Sequence, residues 1–342
     1  MDYTAALSRL LALVDFERFA GPRGPRVKFS LDRMSALLRS LGEPHIGIPT
    51  VHIAGTKGKG STTAIVASVL SRQGYITGMF ISPHLHTFRE RICINGKPVS
   101  EDEFSSLVDE IWPHLEKINK VEEHGTLTLF ETLTAMAFLQ FRRADVDFQV
   151  LEVGLGGRLD STNLVSPRVC AITSVSLDHT AILGDNIEKI SLEKSGIVKP
   201  GVPTVVAPQS AEAKAVIRRV CRQNSAPFVD VGTDIKWLRG PWSLDGQSFK
   251  IKGRLGNYQL KLPLLGDHQL ENAATAVGLL ESLIEQGWPI SGQAMSRGFA
   301  DVKWPCRMEV LQKKPLVVVD GAHNPYSMRR LCEALRSYFE FK

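Results

Sequence analysis

The stretch "GTKGKGST", Gly55 to Thr62, gathers three glycines, two lysines and three hydroxyl residues. That combination can hold a polyphosphate. Glycines at 55, 58 and 60 permit positive φ and close backbone approach, so that successive N–H groups can face phosphate oxygens at the start of a helix whose dipole favours an anion. Lys59 adds a point charge, and Ser61 or Thr62 supplies a hydroxyl for Mg²⁺. The stretch departs from the usual G-x-x-x-x-G-K-[ST], because Gly60 follows Lys59 and Ser61 comes one place late. A glycine-rich turn without a ligand is the competing reading, and the density of phosphate-binding groups weighs against it.

Other titratable residues stand just beyond apolar runs. In "LEVGLGGRLDSTN", Glu152 lies near the carboxyl end of a strand, the edge of an open α/β sheet where ligands collect. It is either paired to Arg158 or bound to a cation, because an unpaired buried carboxylate is costly. "ITSVSLDHTAILG" places Asp178 and His179 at another strand end, although a lone His is more often a surface or core residue. In "LEKSGIVKPG", Lys194 taken alone reads as a solvated lysine. "PLVVVDGAHNP" sets Asp320 and His323 beyond a third strand, where Asp320 could equally cap a helix.

The elements that must position these groups alternate along the chain. Leu7 to Val14 reads as part of a helix and "GPRGPR", 21–26, as a loop. Val51 to Ala54 is a short strand, and Ile65, Val66, Val69 and Leu70 recur at helical spacing after the glycines. A helix through Phe130, Leu133, Thr134, Ala137, Phe138 and Phe141 precedes the strand "FQVLEV", Phe148 to Val153. Strands follow at Val169 to Ser174, Thr204 to Ala207 and Phe228 to Val231, with a helix at Ala211 to Arg222. This alternation predicts an α/β fold, a mostly parallel sheet flanked by helices. Ile235 to Leu265 changes to short segments broken by Gly and Pro, a small antiparallel region, closed by a helix from Gln269 to Glu285. A new unit then starts: Leu316 to Val319 reads as a buried parallel strand, and Met328, Leu331, Cys332, Leu335 and Tyr338 share one helix face. One strand and one helix cannot enclose a core.

Composition narrows the class. The chain has 342 residues, of which 43% are hydrophobic and 23% charged, ordinary values for a globular protein of about two domains. A formal charge of +5 without Lys/Arg runs gives no case for nucleic acid and suits a phosphate- or carboxylate-bearing small substrate. Five scattered cysteines indicate neither a disulfide framework nor a C-x-x-C site. No apolar stretch nears the roughly 18 residues a membrane span needs, so a cytoplasmic protein is expected.

The order "GTKGKGST", "ISPHL", "LEVGLGGRLDSTN", "LDHTAILG", "EKSGIVKPG", "GDHQLENAATA", "WPCRME" and "DGAHNP" closely resembles the folylpolyglutamate synthase and dihydrofolate synthase group of the Mur ligase superfamily, over nearly the whole chain. The loop then resembles the Mur-type variant G-T-x-G-K-G-S, with Lys57 where many bacterial relatives have Asn. Within that resemblance, Cys306 takes the Gly position of W-P-G-R and Ile81 the place of a common Thr.

The resemblance implies an ATP-dependent ligase adding L-glutamate to dihydropteroate and/or tetrahydrofolate through an acyl phosphate, in folate biosynthesis and polyglutamylation. Gly55, Thr56, Lys57, Gly58, Lys59, Gly60, Ser61 and Thr62 are implied to cradle the triphosphate, with Asn272, Arg307, Asp320 and His323 as nucleotide contacts across a cleft. Ser61, Ser82 and Glu152 are implied ligands of one Mg²⁺, and Glu152 and His179 of a second. Lys194 matches a lysine that is often carbamylated and then helps bind that second ion. Lys59, His179 and Lys194 are the implied catalytic set, pteroate or folate and glutamate the partners, and a monomer the expected state. Two alternatives stay open: another Mur-type amino acid ligase, or a nucleotide-binding remnant without ligase activity. Residues 1–299 are expected to form the ATP-binding domain and 300–342 the start of an incomplete Rossmann-like domain. The chain is therefore expected to be part of a longer enzyme, to bind ATP weakly at best and to lack ligase activity as it stands.

Overall fold

The computed structural model describes residues 1–15, 30–121 and 125–339. The sequence-predicted loop 21–26 lies outside the described residues. Helices α1 (Tyr3–Leu11) and α2 (Asp32–Ser40) lead to β1 (Thr50–Ala54), whose five residues are all buried. Burial on both faces is what a central strand of a helix-covered parallel sheet requires. The other strands are β2 (Thr77–Phe80), β3 (Ile92–Ile94), β4 (Lys97–Pro98), β5 (Phe148–Glu152), β6 (Val169–Ile172), β7 (Thr204–Val206) and β8 (Phe228–Asp230). They lie in the order β4-β3-β2-β5-β1-β6-β7-β8. From β2 to β8 every pairing is parallel, and only β3 and β4 run antiparallel at one edge. The chain leaves β1 towards β2 on one side, then passes from β5 to β6 across β1. The loop after β1 thus stands where connections diverge, the crevice in which open α/β sheets bind ligands.

Side chains alternate between two cores, as strand period dictates. Val51, Ile53, Phe148 and Val150 pack with helices α3 (Lys59–Gln73), α9 (Asp267–Glu285) and α10 (Gly292–Ala300). Phe80 and Leu151 meet the opposite cluster, built from α1, α2, α4 (Glu101–Asn119) and α5 (Leu129–Arg143). Helices α6 (Thr180–Leu183), α7 (Ile187–Ser195) and α8 (Ala211–Gln223) follow β6 and β7. The predicted antiparallel region is a three-stranded sheet of β9 (Lys236–Ser243), β10 (Gly246–Lys252) and β11 (Asn257–Leu262).

The last segment departs from expectation. Leu316 to Val319 is not a parallel buried strand: as β13 it pairs antiparallel with β12 (Glu309–Lys313), and Leu316 and Val317 are 41% and 40% exposed. The polar "EVLQK" of β12 hides its strand character, so the partner went unread. The segment also has a packed base. On α11 (Pro325–Tyr338), Leu331, Ala334, Leu335 and Tyr338 form the inward stripe, joining Leu265, Met308 and Phe339, whereas Met328 and Cys332 are exposed. Tyr338, fully buried, donates its hydroxyl to Gln247 Oε1 at 2.6 Å or Asp267 Oδ1 at 3.0 Å.

Candidate active site

Three strand ends converge on one glycine-rich loop. Thr56 N and Lys57 N donate to Ser174 O beyond β6, at 2.8 and 3.1 Å, lacing the loop to the neighbouring strand end. Gly58 caps α3 with φ of +92°, and a Cβ there would lie 2.2 Å from Asn272 Oδ1 on α9. Gly60 is held small by crowding: a Cβ would lie 2.4 Å from the Trp304 ring and 3.2 Å from Glu152 Oε2. Glycine is therefore demanded by both dihedral and space, which draws the α9 amide and the β5 carboxylate against the loop.

Glu152, at the end of β5, is 4% exposed. Its Oε2 accepts from Ser82 N at 3.2 Å, and its Oε1 lies 4.0 Å from Lys59 Nζ. Burial pushes its carboxyl above the usual range against the opposing pull of Lys59. Arg158 pairs instead with Glu193 at 2.9 Å, which removes the structural pairing considered for Glu152.

His179 has φ of +49°, with its N–H held by Asp178 Oδ1 at 3.1 Å. Burial lowers its pKa; Asp178 opposes the shift, and Lys194 and Lys59 add to it. The ring is thus neutral, the state a metal ligand needs. Asp178 itself accepts from Lys57 Nζ at 3.0 Å, and although burial raises its pKa, the Lys57 bond and charge turn the net shift downward.

Lys194 is not the solvated lysine that its sequence alone indicated. It sits at the end of α7, 4% exposed, and donates to Gly55 O at 2.8 Å from behind the loop. Burial, then the charge of Lys59, brings its pKa down to about 7. Asp320 likewise does not cap α11; Asn324 does, and Asp320 accepts from Met308 N and Ala322 N at 2.9 and 2.7 Å.

These groups surround a cavity of about 540 Å³. Of the residues singled out from sequence, Thr56, Lys57, Gly58, Lys59, Gly60, Ser61, Ser82, Glu152, His179, Asn272, Arg307, Asp320 and His323 line it, whereas Gly55, Thr62 and Lys194 stand behind its wall. Sequence reasoning missed four features of the lining. His268 is held to a pKa of about 4 by burial, then by Arg330. Glu271 pairs with Arg330 at 3.1 Å. Asp178 was seen but given no role. Arg33 and Glu131, which also line the cavity, pair at 2.8 Å. "GDHQLENAATA" carried the signal for the first two, but Arg33 and Glu131 are too far apart in the chain for any local pattern.

Among the described residues no group of three or more His, Cys, Asp or Glu side chains converges. Ser61, Ser82 and Glu152 offer hard oxygen donors, and His179 a neutral imidazole. One carboxylate and hydroxyls fit Mg²⁺, which binds through few carboxylates and completes its octahedron with water and substrate phosphates. The donor set therefore fits a magnesium–nucleotide complex better than a preformed all-protein cage.

The family profile described as "Mur ligase middle domain" matches residues 53–280. The dihydrofolate synthase/folylpolyglutamate synthase of Bacillus subtilis (strain 168) is 41% identical over 316 residues, 92% of this chain and 73% of the relative. A solved folylpolyglutamate synthase complex with AMPPCP and folate superposes with a TM-score of 0.92 at 33% identity, covering 100% of this chain and 82% of that one. The Mycobacterium tuberculosis folylpolyglutamate synthase complexed with ADP and AMPPCP gives 0.89 at 35% identity, covering 99% and 75%. The chain belongs to the folylpolyglutamate synthase/dihydrofolate synthase family of Mur ligases. Members of this family are ATP-dependent, magnesium-requiring ligases. Among the described residues no helix is long and apolar enough to cross a membrane.

Proposed function

We propose that this cavity is where the chain joins L-glutamate to dihydropteroate or a reduced folate at the expense of ATP. The observation that carries the reading is that Lys57, Lys59, Glu152, His179, Arg307, Asp320 and His323 all line one cavity. The substrate carboxylate attacks the γ-phosphorus; an O–P bond forms, the bond to ADP breaks, and the acyl phosphate results. The neutral glutamate amine then attacks the acyl carbon; a C–N bond forms, the C–O bond to phosphate breaks, and phosphate leaves with the bonding pair while the proton lost by the amine passes to it or to solvent. Positioning and charge neutralisation supply most of such catalysis.

In this reading the loop from Gly55 to Thr62 cradles the triphosphate, through N–H groups other than those of Thr56, Lys57 and Thr62, which bond Ser174 O and Gly58 O, and Lys59 neutralises its β and γ groups. Asn272, Arg307, Asp320 and His323 hold the nucleotide from across the cleft. Ser61, Ser82 and Glu152 would hold one Mg²⁺, and Glu152, His179 and a carbamylated Lys194 a second. When bound, these ions withdraw charge from the transferring phosphoryl oxygens. The lowered pKa of Lys194 supports the carbamate, since only a neutral amine adds to CO₂, and an ammonium this close to Lys59 and His179 would repel a cation.

We further divide the chain into an ATP-binding unit, 1–299, and a ligase unit beginning at 300. All five cysteines are free, which suits a cytoplasmic monomer acting on small molecules. Calorimetric titration with a non-hydrolysable ATP analogue and Mg²⁺ tests the site. Saturable binding that Lys59→Ala weakens at least tenfold supports it, and equal binding by both proteins sinks it.

A further inference from the structure

Asp178 makes two kinds of contact that its position after β6 does not require. Its Oδ1 accepts from His179 N at 3.1 Å, holding a non-glycine residue in the left-handed region. Its Oδ2 accepts from Lys57 Nζ at 3.0 Å and from Asn324 Nδ2 at 3.3 Å. Lys57 belongs to the phosphate loop. Asn324 is the N-cap of α11, its Oδ1 accepting from Ser327 N at 2.9 Å. No hydrogen bond joins Lys57 to Asn324 directly among the described residues, so the two meet only through the carboxylate. The neighbouring hydroxyls of Ser174 and Tyr326, 3.4 Å apart, show that the first turn of α11 rests on the segment after β6, whose Ser174 O also holds Thr56 N and Lys57 N of the phosphate loop.

We infer that Asp178 is a positioning residue that ties the phosphate loop to the segment carrying Asp320 and His323, so that an anion drawing on Lys57 also acts on the seating of α11. The inference rests on the nucleotide reading above for the anion, but not for the tie itself. The physical reason is that one carboxylate oxygen serves two donors. While Lys57 is engaged, its charge is neutralised and Asp178 faces Asn324 as part of a closed pair. A polyphosphate on the loop competes with Asp178 for the Lys57 ammonium, and the released carboxylate binds Asn324 more strongly because its charge is no longer shared. Nucleotide at Gly55 to Thr62 then tightens the contact that brings Asp320 and His323 over the cavity. By linkage, a well-seated α11 strengthens nucleotide binding in return. Lys57 is the residue that gives the loop this second function, since an uncharged side chain there could not exchange partners in this way.

The tie is tested without nucleotide by hydrogen exchange. Asn324→Asp keeps a cap side chain as good as the original but sets a carboxylate against Asp178. Amides Ser327 to Arg330 should then exchange at least threefold faster. The exchanged pair, Asp178→Asn with Asn324→Asp, restores a donor to an acceptor and should return the rate to near wild type. Unchanged exchange in the single variant, or no rescue in the pair, overturns the tie. Coupling is read from the Kd of a fluorescent ATP analogue. Lys57→Met and Asn324→Asp should combine non-additively by at least threefold when Asp178 is present and additively in Asp178→Asn. Additivity in both backgrounds overturns the coupling. A wild-type protein that binds no nucleotide refutes the site reading instead, and the exchange result still decides the tie.

Discussion

At the scale of single residues, the lysines of the loop set positive charge where phosphate would lie. Lys59 is partly buried beside Glu152 yet, among the described residues, makes no closer ion pair than 4.0 Å, which leaves its ammonium for a ligand. Lys59→Ala should therefore weaken ATP binding at least tenfold, about 1.4 kcal/mol, while shifting the melting temperature by less than about 2 °C. Nucleotide titration and thermal unfolding on the same samples check both halves. Lys194 gives a pH signature. Its folded pKa, about 7, lies below the ordinary 10.5. Below about pH 7 both folded and unfolded states carry the proton, and the folded state bears the cost of burying it. Between about 7 and 10.5 the unfolded state binds the extra proton, so stability rises with pH across that window. Urea midpoints against pH should show this rise in wild type and a flatter line in Lys194→Met.

At the scale of elements, the loop, its strand and its helix were legible because local chemistry forced them. Glycine density, hydroxyls and a following apolar period describe Gly55 to Leu70 with no distant information. The ends of the strands were less legible: Val153 and Thr173 still donate to Ile53 O and Ala54 O of β1, at 2.9 and 2.8 Å, but stand past the strand ends, and Ser174 turns to bridge Lys57 of the loop. Apolar run length cannot say where hydrogen bonding stops. The pairing of β13 was lost for another reason, since β12 is polar and its partner run looks buried when it is half exposed. Without its context Lys194 reads as solvated, because burial is a tertiary property, set here by the approach of α7 to Gly55. Cys306 shows what the motif could predict: the position held by Gly in the family pattern has φ of +55°. A side chain there costs about 1–2 kcal/mol, partly offset by the entropy glycine loses on folding, about 0.5–1 kcal/mol. Cys306→Gly should thus raise the urea midpoint by the equivalent of a few tenths to about 1 kcal/mol, with an unchanged m-value.

At the scale of the whole molecule, the question is what holds the last segment over the loop. The expectation of weak ATP binding and of no ligase activity rested on this segment supplying little interface, and the activity proposed above departs from it on that ground alone. The structure instead gives the segment the Leu265–Met308–Ala334–Tyr338–Phe339 cluster, the Tyr338 hydroxyl in reach of two acceptors and the Arg330–Glu271 pair. Tyr338→Ala removes the largest buried side chain of that base, a change that typically costs about 3–5 kcal/mol. It should release the segment locally: proteolysis within α11 should accelerate while hydrogen exchange of β1 and β5 stays at the wild-type rate. Loss of protection throughout the sheet would show that the segment is not a separable unit.

In the proposed function one cavity joins ATP, a folate-type carboxylate and glutamate. Phosphate release from ATP, measured with dihydropteroate or tetrahydrofolate and with or without L-glutamate, addresses it most directly. Release should require both the pterin acceptor and glutamate, yield a product heavier by one glutamate residue, and be lost in Lys59→Ala. Release that ignores glutamate, or that survives Lys59→Ala unchanged, would contradict it.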